Sequence, residues 1–133
     1  MTHLFSSRPA EIRRARRMVA AHLRAWGLAD EIDAVTLAVS ELVTNAVVHG
    51  RGLIEVTVKV RDGTIRLEVA DHGGGRPTLV PTLDAAPTGG LGLHIVDRMA
   101  NKWGSVLEGE RTSVWVERPV HEGRERERDP GAE

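Results

Sequence analysis

Two alternating segments joined by an Asp-Gly pair place the strongest constraint on how this chain folds. Apolar residues occupy every second position before and after Asp62-Gly63, and the second segment ends at Asp71. These apolar positions are Ile54, Val56, Val58 and Val60, then Ile65, Leu67 and Val69. The alternation predicts two strands, each with one apolar face, and an Asp-Gly pair favours a tight hairpin turn between them.

Two amphipathic segments come before this hairpin and predict two helices. The first covers residues 9–26, where Pro9 suits the first helical position and Gly27 ends the helix. The second covers residues 31–48, and Asp30 can cap its start. Apolar residues at helical spacing are Ile12, Ala15, Val19, Leu23 and Trp26 in the first helix, and Ile32, Val35, Val39, Leu42, Val43 and Ala46 in the second.

A glycine- and proline-rich stretch follows the hairpin. Residues 72–90 contain five of the 14 glycines and three of the six prolines, and their apolar residues show no usable period. A loop of this length in a small domain is usually functional or disordered. After it we expect a third helix at residues 91–100 and two short strands around residues 105–107 and 112–117.

Length and composition fit one small domain. The chain has 133 residues and a formal net charge of -1, which gives no reason to expect binding to nucleic acid or to an anionic membrane. It has no cysteine, which excludes disulfides and thiolate metal sites and fits a reducing cytoplasm. No apolar run is long enough to cross a bilayer. We predict an α+β domain over residues 1–120, with helices on one face of a mainly antiparallel sheet, and a disordered charged tail over residues 121–133.

One pair of polar residues in the second predicted helix could act on a phosphate. Glu41 and Asn45 lie four positions apart, so they project from the same side of the helix. An amide oxygen is a hard ligand that suits Mg²⁺, and a carboxylate can take a proton from an attacking hydroxyl. Taken alone, the pair is weak evidence for a phosphate site, because an exposed Glu and an exposed Asn on one helix are common.

Two glycine-rich segments add a second and a third motif. Residues 71–75 read Asp-His-Gly-Gly-Gly directly after a strand, where a carboxylate can accept a hydrogen bond from an exocyclic amine. Residues 89–93 read Gly-Gly-Leu-Gly-Leu at the start of the third predicted helix, whose free N–H groups can hold phosphate. The segment at residues 89–93 matches neither a Rossmann nor a Walker motif, and each segment alone also fits an ordinary turn or helix start.

Together, in this order, the three segments resemble the GHKL superfamily of gyrase, heat-shock protein 90, histidine kinases and MutL. The run Glu-Leu-Val-Thr-Asn-Ala-Val-Val-His at residues 41–49 is most similar to bacterial anti-sigma factor serine kinases. The resemblance covers about residues 5–118. It implies a Bergerat-type two-layer α/β sandwich, with a mixed, mainly antiparallel sheet, helices packed on one face and a flexible ATP lid.

The resemblance also implies roles for particular residues. Asn45 is expected to bind Mg²⁺, Glu41 to act as the general base and Asp71 to contact adenine. The remaining expected nucleotide contacts are Gly73 and Gly75 in the pocket, Gly90, Leu91, Gly92 and Leu93 at the phosphate end of the lid, and Thr112 beside adenine. The match at Thr112 is the poorest, because Glu110 and Arg111 stand where the family often has glycines, and an ordinary strand residue remains an alternative. His49 is expected to support the site, whereas His72 and His94 have no predicted chemical role.

The function implied by the resemblance is that of a cytoplasmic serine/threonine protein kinase that uses ATP and Mg²⁺. Such a protein acts as an anti-sigma factor: it binds a sigma factor and phosphorylates a serine on an anti-anti-sigma antagonist of the STAS type. Homodimers are common among the relatives, and no direct contact with nucleic acid or membrane is expected. The alternative is a non-catalytic module of the same fold, in which ATP controls binding to a partner protein.

Overall fold

A computed structural model describes residues 1–49, 52–72 and 100–120. The elements in chain order are strand β1 (Thr2–Ser6), helix α1 (Ala10–Ala25), a 3-10 turn (Ala29–Glu31), helix α2 (Ile32–His49), and strands β2 (Leu53–Arg61), β3 (Thr64–Asp71), β4 (Lys102–Glu108) and β5 (Arg111–Pro119). None of the helices in the described residues has the length and hydrophobicity that a membrane span requires.

The five strands form one sheet in the order β1-β2-β3-β5-β4, and all four pairings between them are antiparallel. The predicted hairpin is confirmed as β2 and β3. Asp62 and Gly63 both have positive φ, 53° and 72°, as a type I′ turn requires. The prediction that the second strand ends at Asp71 is also confirmed.

Both helices lie on one face of this sheet, so the predicted two-layer α+β fold is confirmed. Helix α1 packs against α2, and α2 packs on β2 and β3. The core between the layers contains the predicted strand positions Ile54, Val56, Val58, Ile65, Leu67 and Val69, and the predicted helix positions Ala15, Val19, Leu23, Val35, Val39, Leu42, Val43 and Ala46. Val60, also predicted to face inward, is 40% exposed near the end of β2.

The end of α1 follows from local sequence. Gly27 has φ +77°, and its N–H donates to the carbonyl of Arg24 at 3.1 Å. The N–H of Leu28 donates to the carbonyl of Leu23 at 2.8 Å, which completes a Schellman motif. Trp26 was predicted to join the apolar stripe, which is wrong. It stands at the C-cap, where the helical spacing no longer applies, and it is 40% exposed.

Several other predictions need correction or fall outside the described residues. Asp30 was predicted to cap α2, but it lies inside the 3-10 turn that precedes the helix. Strand β1 was not predicted, and both late strands are longer than expected. The third predicted helix lies outside the described residues up to its last residue, Ala100, which is not helical. The lid beyond His72 and the tail at residues 121–133 also lie outside the described part of the chain.

An ion pair with a buried carboxylate joins the two layers. Arg118 Nε in β5 donates to Glu31 Oε1 at 2.7 Å, and Glu31 is only 1% exposed. Glu31 ends the 3-10 turn directly before α2, and Arg118 is paired with Ile65 of β3. This contact therefore anchors the start of α2 to one end of the sheet.

Candidate functional site

A pocket opens between α2 and the paired strands β3 and β5. It has a volume of about 290 Å³, including the part that is open to solvent. Its lining residues are Leu42, Asn45 and Ala46 of α2, Val69 and Asp71 of β3, and Thr112 and Val114 of β5. Three of the residues predicted to contact nucleotide or metal, namely Asn45, Asp71 and Thr112, thus lie around one space.

The periodicity of each element explains why these side chains meet. Positions 42, 45 and 46 share one face of α2, since residues three and four apart are neighbours on a helix. On the sheet, Asp71 is directly paired with Thr112, and Val69 is directly paired with Val114. Residues two apart on a strand point to the same face. The pocket is therefore lined by a polar pair, Asp71 and Thr112, where β3 ends, and by an apolar pair, Val69 and Val114, next to it.

The chemistry of this lining fits a purine nucleotide. Leu42 and Ala46 on one side and Val69 and Val114 on the other offer apolar surfaces to a flat ring. The Asp71 carboxylate can accept a hydrogen bond from an exocyclic amine, and the Thr112 hydroxyl can donate or accept one. The Asn45 side chain adds an amide oxygen of the kind that Mg²⁺ binds.

The other predicted site residues either do not line the pocket or lie outside the described residues. Glu41 is half-buried one helical turn before Asn45, and it is not among the residues that line the pocket. Gly73, Gly75, Gly90, Leu91, Gly92, Leu93 and His94 lie outside the described residues, as does the His49 side chain.

The opposite face of the sheet holds a group that sequence analysis missed. Arg111 Nη2 donates to Glu55 Oε1 at 3.0 Å, and His72 Nε2 lies 3.3 Å from Glu55 Oε2. Arg111 Nη1 also lies 4.0 Å from Glu68 Oε2. The only signal in the sequence was the presence of Arg111 where the related family often has glycine, which the resemblance marked as a departure and not as a contact.

These contacts shift the acidity of Glu55. The hydrogen bond from Arg111 lowers the pKa of the Glu55 carboxyl below its ordinary value of 4.5. Burial acts in the opposite direction, and the hydrogen bond and charge of His72 and the charge of Arg111 add to the lowering. The folded protein therefore binds this proton less readily than the unfolded chain.

We expect the stabilising contribution of Glu55 to be lost in acid. Because its folded pKa is the lower one, the contribution is complete above about pH 4.5, the ordinary value, and is lost as the pH falls through the folded pKa. Urea unfolding of the wild type and of Glu55→Gln over a series of pH values measures it. The difference in free energy of unfolding should shrink as the pH falls below about 4.5. A difference that grows in acid would contradict the assignment.

Comparison with known families supports the reading of the fold. Residues 5–118 match the family described as the histidine kinase-like ATPase domain. Two solved structures show the same fold. The histidine kinase domain of the blue-light activated histidine kinase from Erythrobacter litoralis EL346 is 23% identical, with a TM-score of 0.55, over 73% of this chain and 48% of that one. The Acinetobacter baumannii histidine kinase AdeS is 14% identical, with a TM-score of 0.57, over 91% of this chain and 68% of that one.

Curated relatives carry the name anti-sigma F factor. The protein of that name from Clostridium botulinum (strain Alaska E43 / Type E3) is 30% identical, and the match covers 62% of this chain and 64% of the relative. The one from Geobacillus kaustophilus (strain HTA426) is 28% identical, and the match covers 68% of this chain and 71% of the relative. The match to the first of these relatives thus spans slightly less than two thirds of its length.

Proposed function

Since the chain belongs to the histidine kinase-like ATPase domain family, we propose that it binds ATP and Mg²⁺ in the pocket between α2 and strands β3 and β5. One observation carries this proposal. Asn45, Asp71 and Thr112 come from three separate segments of the chain, and they line the same small pocket together with apolar residues. A pocket with apolar walls and a few converging polar groups is typical of a small-molecule site.

In this proposal the two ends of the pocket bind different parts of the nucleotide. Asp71 accepts a hydrogen bond from the adenine amine, and Thr112 supports the ring from the adjacent strand. Asn45 supplies an oxygen ligand to Mg²⁺, whose charge would offset that of the phosphates. Gly73 and Gly75 would shape the pocket, while Gly90, Leu91, Gly92 and Leu93 would hold the phosphates from the lid side.

We further propose that the activity is serine phosphorylation of an antagonist protein. The likeness to anti-sigma F factors supports a sigma factor and a STAS-type anti-anti-sigma protein as partners. In the reaction, a serine hydroxyl oxygen of the antagonist bonds to the γ-phosphorus of ATP, and the bond from that phosphorus to ADP breaks. Glu41 would take the proton that leaves the hydroxyl.

A second candidate function is supported by the position of Glu41. Because this carboxylate does not line the pocket, the site can bind nucleotide without it. The protein would then be a binding module in which ATP controls the surface offered to a partner. The two candidates share the nucleotide site and differ only in whether Glu41 acts on a hydroxyl.

Thermal-shift titrations test the nucleotide site, which both candidates need. ATP should raise the melting temperature of the wild type in a Mg²⁺-dependent manner, and GTP should raise it much less, because a ligand that binds only the folded state stabilises it. We expect Asp71→Ala to weaken ATP binding roughly 30-fold, equivalent to about 2 kcal/mol for a lost hydrogen bond to a charged group. Asn45→Ala should remove most of the Mg²⁺ dependence.

A conservative change on the same helix provides the control. Asp33 is exposed in the first turn of α2, far from Asn45 along the helix, so Asp33→Asn should leave the titration unchanged. If ATP and GTP raise the melting temperature equally, or if Asp71→Ala binds ATP like the wild type, the nucleotide site is wrongly placed.

A further inference from the structure

The sheet face that points away from the helices carries a connected set of three side chains, which we call the Glu55 brace. It consists of Glu55 in β2, Arg111 in β5 and His72, the residue that follows β3. One Glu55 oxygen accepts a hydrogen bond from Arg111 at 3.0 Å, and the other lies 3.3 Å from His72 Nε2. A single carboxylate on β2 thus contacts the other two members of the brace.

The position of the brace relative to the pocket is specific. His72 directly follows Asp71, and Arg111 directly precedes Thr112. Asp71 and Thr112 are paired across β3 and β5, and they face α2. Since successive residues on a strand point to opposite faces, the brace lies directly behind the polar end of the pocket.

A small residue in β3 lets the brace cross that strand. Glu55 is paired with Ala70, and Ala70 is paired with Ser113. Ala70 is only 1% exposed and Ser113 only 3%, although both are on the face without helices. The Arg111 side chain reaches across β3 to Glu55 on β2, a strand that is not a neighbour of β5, and its Nη1 lies 4.0 Å from Glu68 Oε2 on β3. It thus couples β2, β3 and β5 where β3 ends.

We propose that Glu55 is a positioning residue for the base end of the nucleotide pocket. It acts through His72 and Arg111 to hold Asp71 and Thr112 at a fixed separation on the other face. A strand end without such contacts frays. Side chains that the ligand itself must order bind that ligand more weakly than side chains that are already fixed. This inference rests on the proposed ATP site.

An ion pair elsewhere on the same face provides a matched control. Arg66 Nη1 of β3 lies 2.9 Å from Glu117 Oε2 of β5. The side chains of that pair are 34% and 29% exposed, against 34% and 28% for Arg111 and Glu55. The two pairs thus match in chemistry, length and exposure, but only the Glu55 pair adjoins Asp71 and Thr112. Exposed pairs of this kind contribute little to global stability, so their loss should not unfold the domain.

The test compares Glu55→Gln with Glu117→Gln by calorimetric titration with ATP, ADP and GTP. Glu55→Gln should weaken the binding of ATP and of ADP by the same factor, about tenfold. The reason is that the change disturbs the end of the pocket that binds the base and leaves the phosphate end unchanged. The preference for ATP over GTP should fall as well, which a general loss of stability would not cause. Glu117→Gln should stay within about twofold of the wild type for every nucleotide.

A second variant keeps the test decisive. Arg111→Gln should reproduce part of the loss, and the double variant with Glu55→Gln should bind ATP no worse than Glu55→Gln alone, because the contact between Glu55 and Arg111 is already lost in that variant. Equal affinities for Glu55→Gln and Glu117→Gln would overturn the inference, as would a much lower melting temperature for Glu55→Gln than for Glu117→Gln. A wild type that fails to bind ATP would instead overturn the proposed function itself.

Discussion

Replacing Glu41 by Gln is expected to slow phosphoryl transfer to the antagonist protein by about 100-fold or more, while the affinity for ATP stays within about twofold. Glutamine keeps the size of the side chain but cannot accept the proton of the attacking serine. The affinity should persist because Glu41 does not line the pocket that holds Asn45, Asp71 and Thr112. Its separation from Asn45 by one turn of α2 still places it on the same side of the helix.

Radiolabel transfer from ATP, with a cognate antagonist as acceptor, measures this effect. Asp33→Asn serves again as the control, since it removes a carboxylate from the exposed first turn of the same helix. If the wild type transfers no label, or if Glu41→Gln still controls its partner as the wild type does, catalysis is dispensable and the ATP-gated binding module is the better description.

Short-range patterns account for the parts of the fold that could be predicted. The strict alternation in β2 and β3 and the turn at Asp62-Gly63 each lie within a few residues of sequence, so local preferences alone determine them. Strand β1 could not be recognised in the same way. It has five residues, of which only Phe5 is buried, and it becomes a strand because it pairs along β2.

The candidate site was predictable for a different reason. No local pattern relates Asn45 to Asp71 and Thr112, and they were singled out together only through resemblance to a family. What brings them to one pocket is the direct pairing of β3 with β5 and the packing of α2 on β3. Contacts that depend on that pairing but lie outside the recognised motifs, such as Glu55 with Arg111, were therefore missed. These two residues lie 56 positions apart on strands that are not neighbours.

The contact between Glu31 and Arg118, 87 positions apart, was missed for the same reason, and its removal should have the largest effect on stability. We expect Arg118→Ala to lower the free energy of unfolding by about 3 kcal/mol, because the Glu31 carboxylate would stay buried without its guanidinium partner. For a domain of this size that corresponds to a fall in melting temperature of roughly 10 °C. Urea and thermal unfolding at neutral pH measure both quantities.

Two further variants separate two causes of the lost stability. One is the burial of the Glu31 carboxylate after its arginine is removed, and the other is the loss of the arginine side chain itself. Arg14→Ala breaks a 2.6 Å pair with Glu11 in which the arginine side chain is 60% exposed, so it should cost less than about 1 kcal/mol. The double change Glu31→Leu and Arg118→Met removes both charges and keeps most of the volume, and it should recover most of the stability lost in Arg118→Ala. Should the double variant be as unstable as the single one, packing of the arginine stem, and not burial of the Glu31 charge, would be what holds the start of α2 to β5.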